Sequence, residues 1–137
     1  MKNNKGFSLV ELIIVIAIMA VLIGVLAPQY LRYVEKSKKQ ADLSAVADVY
    51  NAVKIAYSDP EFQSKLSADT ISLTNGCDIA TQCHSTIGND IAKTCGTTLS
   101  LTSNTYKNTT FTITITLNAD KEWEITRDAA WEATINQ

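Results

Sequence analysis

Apolar residues recur along this chain in three rhythms, each of which predicts a different element. From Phe7 to Ala27 they are almost unbroken, reading Phe-Ser-Leu-Val-Glu-Leu-Ile-Ile-Val-Ile-Ala-Ile-Met-Ala-Val-Leu-Ile-Gly-Val-Leu-Ala. At ~1.5 Å rise per residue a helix of this length runs roughly 31 Å, the thickness of a bilayer's hydrocarbon core. Glu11 breaks the pattern. A charge there costs about 2.5 to 3.5 kcal/mol even on the lenient insertion scale, so this carboxylate needs a partner.

From Gln29 to Tyr57 the spacing becomes three and four. Leu43, Val46, Tyr50, Val53 and Tyr57 predict one buried helical stripe with Val49 and Ala56 at its margin, while Ser44, Asp48 and Asn51 predict a polar side. The stripe is short and holds two tyrosines, which favours packing on a sheet over a coiled-coil seam. Pro28 lacks the N–H that would bond back to residue 24, and Gly24 weakens the same turn, so a kink is expected there. Ser58-Asp59-Pro60 ends this helix and opens a short one through about Leu66, with Ser58 or Asp59 as the cap.

The third rhythm is alternation. Phe111-Thr-Ile-Thr-Ile-Thr-Leu117 predicts a half-buried strand with Phe111, Ile113, Ile115 and Leu117 inward and Thr112, Thr114 and Thr116 outward. Asn118-Ala119-Asp120 predicts a reversal into a second strand, Glu122 to Thr126, with Trp123 and Ile125 inward. Thr97 to Leu101 is the expected first strand of the sheet. Residues 67–96, rich in Thr, Ser, Asn and Asp, read as a loop region with a turn at Asn75-Gly76 and a brief helical turn from Asn89 to Cys95. Trp131 is expected to cover a sheet edge or the head surface, or to touch another subunit. The predicted fold class is α+β: a long amino-terminal helix, its apolar half spanning a membrane or lying in a filament core, packed on a small antiparallel β-sheet head.

The 137 residues leave room for one small head domain beyond the apolar run. A formal net charge of −2 argues against nonspecific nucleic-acid binding as the main property. An ordinary secretory signal peptide would have a shorter apolar core and a small-residue cleavage site, and an uncleaved anchor would not explain Glu11. Charge does not set the orientation, because Lys2 and Lys5 before the run face Arg32, Lys36, Lys38 and Lys39 after it. That second basic group suits lipid head groups before assembly or a solvated helix face; nucleic acid is a conceivable partner that no aromatic ladder supports.

A short basic leader, a glycine at its end, an aromatic residue, a small hydroxyl and a glutamate four positions on, in Gly6-Phe7-Ser8-Leu9-Val10-Glu11, lead into a long apolar run ending near Pro28. Taken together these residues closely resemble the processing and assembly signature of type IV pilins and their prepilin-like relatives, over roughly residues 1–57. The resemblance implies cleavage between Gly6 and Phe7 by a prepilin peptidase on the cytoplasmic side, and N-methylation of Phe7. It implies that Glu11 pairs with the new amine of a neighbouring subunit, and that the helix near Gly24 and Pro28 loosens in the filament.

The segments then read as a cytoplasmic leader, 1–6; a transmembrane and assembly helix, 7–28; its amphipathic continuation, 29–57; and a head, 58–137, with the loop region 67–96 and the sheet at about 97–127. Loss of Lys2 and Lys5 would leave ten basic against fourteen acidic side chains. The implied partners are further copies of the chain in a helical filament, the peptidase, the pilus assembly machinery and membrane lipid. The implied route runs from a single-pass precursor in the cytoplasmic membrane, amino terminus inside, to an extracellular pilus serving adhesion, motility or DNA uptake. Within the family the rival is a pseudopilin of a secretion or competence apparatus, disfavoured by the lack of a calcium-ligand cluster near the carboxyl end. Outside it the rival is a single-span protein with a binding head.

Little else suggests chemistry. Cys77, Cys83 and Cys95 all fall in the loop region, and in a head outside the cell two of them would form a disulfide. Spacing leaves the pair open; one that includes Cys95 would tie the loop to the start of the sheet. The three sulfurs with His84 make a nominal zinc set, but Cys-x-x-Cys knuckles are missing and adjacent Cys83 and His84 do not easily reach one ion, so no metal or other cofactor is expected. With one histidine, no glycine-rich phosphate loop and no nucleophile elbow, no catalytic residues and no enzyme activity are expected. Asn108-Thr109-Thr110 matches a glycosylation acceptor, a motif common by chance.

Overall fold

The computed structural model describes residues 6–63, 67–83 and 87–135. Its elements, in chain order, are α1 (Leu9–Ser58), α2 (Pro60–Gln63), β1 (Asp69–Leu73), α3 (Ile79–Gln82), α4 (Gly88–Cys95), β2 (Phe111–Leu117), β3 (Trp123–Arg127) and α5 (Ala129–Ile135). The fold is α+β. The chain divides into two units, Met1–Lys36 and Ser37–Gln137.

In the first unit the described residues are helical from Leu9 onward and their large apolar side chains are exposed. In the second, the carboxyl-terminal part of α1 lies on a three-stranded antiparallel sheet of order β1-β2-β3. Asp69 to Leu73 pair with Ile115 back to Phe111, and Ile113 to Leu117 pair with Arg127 back to Trp123. The strict alternation of β2 buries Phe111, Ile113 and Ile115, as the pattern predicts. Leu117, expected inward, is 49% exposed, because it stands at the end of the ladder where the strand enters the turn.

The turn between β2 and β3 is built on Asn118. Its carboxamide oxygen accepts the N–H groups of Asp120 and Glu122 at 3.0 and 2.8 Å, and its own N–H donates to the Glu122 carbonyl at 2.9 Å. Trp123 and Ile125 are half-buried on the inward side of β3.

The first strand of the sheet is β1, inside the stretch expected to be loop, and Thr97 to Leu101 is not a strand. Ile71 and Leu73 supply the buried face of β1, but with five residues among hydroxyl side chains the alternation is too short to stand out. Residues 97–101 instead make a single bridge, Thr98 to Asp78, with Leu99 accepting from Gly76 at 2.7 Å and donating to Cys77 at 3.1 Å. Leu99 and Leu101 still enter the core. Gly76 takes φ +79° in the predicted Asn75-Gly76 turn, a conformation that favours glycine. The helical turn near Asn89 is the eight-residue α4, and α3, capped by Asp78 through the Ala80 N–H at 2.9 Å, was not anticipated. Asp59 caps α2 through the Glu61 N–H at 2.9 Å; residues 64–66, where that helix was expected to end, lie outside the described residues.

The buried stripe of α1 runs through Asp42, Val46, Val49, Val53 and Tyr57, with Ala52 beside it. Val49 is therefore central, whereas Leu43 and Tyr50 are marginal, the reverse of the expected arrangement. The cause is Asp42, which no apolar pattern could place inside. Its carboxylate accepts Thr102 N–H at 2.8 Å, the Thr102 hydroxyl at 3.2 Å and Ser103 N–H at 2.8 Å. Burial alone would raise its pKa, yet these backbone and hydroxyl donors bring it below the usual aspartate value.

Trp131 is a core residue and not a surface cover. It is 1% exposed, meets Tyr50 and Phe111 edge to face with centroids 5.6 and 5.8 Å apart, and has the Arg127 guanidinium 5.6 Å over its ring. Asp128 seats α5 by accepting Trp131 N–H and Thr112 N–H, each at 2.9 Å.

Replacing Asp42 by Asn removes the charge from a site lined by donors, and the head should lose on the order of 2 to 3 kcal/mol at neutral pH. Because the folded-state pKa is depressed, the wild-type contribution is present above the unfolded value near ~3.9 and disappears as pH falls through the lower folded value. Denaturant melts of the detergent-solubilised chain should therefore show wild type and Asp42→Asn converging in acid. Trp131→Ala should cost about 3 to 5 kcal/mol in the same assay and lose near-ultraviolet circular dichroism.

Candidate functional site

The unit from Met1 to Lys36 carries the features that called for explanation. Gly6, Phe7 and Ser8 precede α1 outside regular secondary structure and exposed, and Phe7 is 87% exposed. From Leu9 to Leu26 the large apolar side chains are 42 to 73% exposed. The most apolar 18-residue stretch of α1 has a mean hydropathy of 3.1, and none of it is buried. The helix is long and apolar enough to cross a membrane.

Glu11 makes a contact that its isolation in the sequence concealed. Ser8 occupies the cap position of α1, and its backbone N–H donates to Glu11 Oε2 at 2.8 Å. Leu12 N–H closes the first turn on the Ser8 carbonyl at 3.2 Å. This is the reciprocal half of a capping box, in which an acid three residues past the cap reaches back to the cap's amide. The carboxylate thus satisfies a donor that the helix start would otherwise leave unpaired, and its charge complements the positive end of the helix dipole. The signal was legible as Ser8-Leu9-Val10-Glu11, a Ser-x-x-Glu pattern opening an apolar run.

Further along, α1 continues through Gly24 and Pro28. Pro28 has no N–H to offer the Gly24 carbonyl, so the helix lacks one rung there. A Cβ at Gly24 would meet nothing within 4 Å in this chain, and the face around it is open for close approach by something else.

Cys77 and Cys83 are buried in the head and Cys95 is half-buried against the same core; all three are free thiols in this structure. Burial pushes the Cys83 thiol up to about 12, with the neighbouring Cys95, Asp69 and Cys77 adding to it. Tyr57, beside this group, is likewise raised to about 12 by burial, then by Asp69 and Cys83. His84 lies outside the described residues. Among the described residues no group of three or more His, Cys, Asp or Glu side chains is arranged to hold a metal ion. Asp42, the anchor of the 102–103 loop, is the head residue that periodicity missed, since its donors are sixty positions away.

Comparison with known proteins agrees with the amino-terminal geometry. Residues 1–27 match the family model described as prokaryotic N-terminal methylation motif. The chain is 31% identical over 77 residues to the prepilin peptidase-dependent protein A of Clostridium perfringens, an alignment covering 55% of each. It is 40% identical over 75 residues to the type IV wide pilus major component PilA4 of Thermus thermophilus, covering 55% of this chain and 50% of that one. It is 31% identical over 59 residues to the type IV major pilin protein PilA of Myxococcus xanthus, covering 43% and 27%. The chain thus spans about half the length of these relatives, or less. No solved structure matches it. The chain thus has a methylation-type amino terminus leading an exposed apolar helix long enough to cross a membrane. Over this amino-terminal part it is similar to type IV pilins and a prepilin peptidase-dependent protein.

The capping contact predicts a split between two substitutions. Glu11→Gln keeps an oxygen for the Ser8 amide, whereas Glu11→Ala leaves that amide without its acceptor. In detergent micelles, hydrogen exchange at Ser8 should be little changed in the first and several-fold faster in the second, as expected for loss of about 1 kcal/mol.

Proposed function

We propose that the chain is a structural subunit of a type IV pilus. It is inserted in the cytoplasmic membrane as a precursor with its amino terminus inside, cut between Gly6 and Phe7 by a prepilin peptidase and N-methylated on Phe7. It then polymerises through its amino-terminal helix into an extracellular filament. The observation that carries this reading is an apolar helical surface with no internal burial, interrupted by one carboxylate four residues past the junction. Its role is architectural and not catalytic.

Each step has a physical driver. Before assembly, lipid covers the apolar face, and the Ser8 amide helps to offset the cost of Glu11 in that environment. Cleavage creates an amine on Phe7, next to the residue that already binds Glu11, and the negative charge gains a cationic partner on an adjacent copy. Moving the helix from lipid into a bundle changes little in hydrophobic transfer energy, so packing contacts decide the outcome, and small residues such as Ala17, Ala20 and Gly24 let backbones come close. The rung missing at Pro28 gives the helix a place to loosen as subunits adjust to filament symmetry.

The test is made in cells that express the protein. A bulky residue at Gly6 should leave uncut precursor in the membrane, read from the intact mass of the amino terminus. Glu11→Ala and Glu11→Gln should both insert and be cut, yet fibres seen by electron microscopy should fall at least tenfold. Abundant normal fibres from Glu11→Gln would remove the charge-pairing step, and a purified wild-type protein that retains its leader and never leaves the membrane would remove the reading altogether.

A further inference from the structure

We propose that the stretch of α1 just past its apolar run, Tyr30 to Lys39, is a binding surface for the head groups of anionic phospholipid; this rests on the reading of α1 as a membrane span. The large apolar side chains from Leu9 to Leu26 are exposed, and so are the residues that follow them. Tyr30 and Leu31 are each 67% exposed and Tyr33 is 73% exposed. Arg32, Lys36 and Lys38 are exposed as well, and Lys39 is half-buried. Between Gln29 and Ala41 these four cations stand against one acid, Glu35. None of the four forms an ion pair or a side-chain hydrogen bond among the described residues, whereas Lys93 and Asp90 of the head pair at 2.8 Å.

Charge and order along the helix match a lipid leaflet layer by layer. At ~1.5 Å per residue, Leu9 to Tyr30 rises roughly 31 Å, the thickness of the hydrocarbon core, so Tyr30 reaches one edge of that core when Leu9 stands at the other. Tyrosine suits this boundary, with its ring at the level of the acyl chains and its hydroxyl in reach of water. Arg32 and Lys36, four positions apart and so on one side of the helix, rise roughly 3 and 9 Å beyond Tyr30. Helical side chains slant toward the amino terminus, which brings both cationic ends back to the level of the phosphates. Lys39 continues that side by one turn, and Lys38 covers another. A zwitterionic head group balances its own phosphate, whereas a net-negative one leaves it free for guanidinium and ammonium donors. The surface therefore selects anionic lipid.

The contact fixes the depth of the helix. Glu11 precedes Tyr30 by roughly 28 Å of rise, so a helix held at its Tyr30 to Lys39 stretch keeps Glu11 at the opposite edge of the hydrocarbon. A carboxylate costs less there than at the bilayer centre. Gly6 and Phe7 then stand at the water boundary.

The test uses the full-length chain carrying Lys2→Gln and Lys5→Gln, which silence the leader's own charge. It is reconstituted into phosphatidylcholine vesicles holding a trace of spin-labelled phosphatidylglycerol or spin-labelled phosphatidylcholine, and electron spin resonance separates lipid slowed at the protein surface from free lipid. The slowed fraction should favour phosphatidylglycerol by about threefold or more at low salt and lose that preference in molar salt. Adding Arg32→Gln, Lys36→Gln, Lys38→Gln and Lys39→Gln should bring the two lipids to parity, while Lys36→Arg with Lys38→Arg and Lys39→Arg should keep the preference. Slowed phosphatidylcholine should be equal in every variant, which reports that each still inserts. Parity before the four Gln changes, or a preference that survives them, would overturn the lipid surface and leave the span standing. A chain that slows neither lipid overturns the span, and the surface with it.

Discussion

A helix whose large apolar side chains stand exposed must find an apolar environment for them. That requirement shapes the rest of this molecule. From Leu9 to Leu26 the large apolar side chains are exposed, while the same helix from Asp42 onward is embedded in a conventional core. One continuous element therefore serves two solvents. Its first half presents an exposed apolar surface, and its second half is the spine of a small α+β head.

Glu11 is where these demands meet. A carboxylate in hydrocarbon is costly, and the structure shows the first means of lowering that cost: the amide of Ser8 at the helix's own positive end. An amide partner offsets part of the desolvation but leaves the net charge in place. In the function proposed above, a cation created by processing would complete the pairing, and the timing of cleavage would then govern the stability of the assembled state. The same residue thus opens the helix and, in the proposed filament, registers one subunit against another.

The head relies on polar anchors as much as on apolar area. Asp42 on α1, Asn75 at the first turn, Asn118 in the hairpin and Asp128 before α5 each take up backbone N–H groups that no strand or helix satisfies. Such anchors let a head with a sheet of three short strands hold a long irregular stretch, residues 96–110, against the core.

Local pattern alone determined the long helix, the β2–β3 hairpin, a cap at Ser58 or Asp59 and the amino-terminal signal, because each depends on neighbours within a few residues. The Ser-x-x-Glu cap was equally local and could have been read the same way. Tertiary structure decided the rest. Asp42 faces inward because donors sixty residues away make its burial tolerable, and that rotates the stripe toward Val49. Asp69 to Leu73 is a strand because β2 offers it a partner edge, while Thr97 to Leu101 finds one bridge and remains irregular. Trp131 is buried because Tyr50, Phe111 and Arg127 converge on it from three separate elements. A pattern along the chain records which side of an element is apolar; what lies opposite that side is a property of the folded whole.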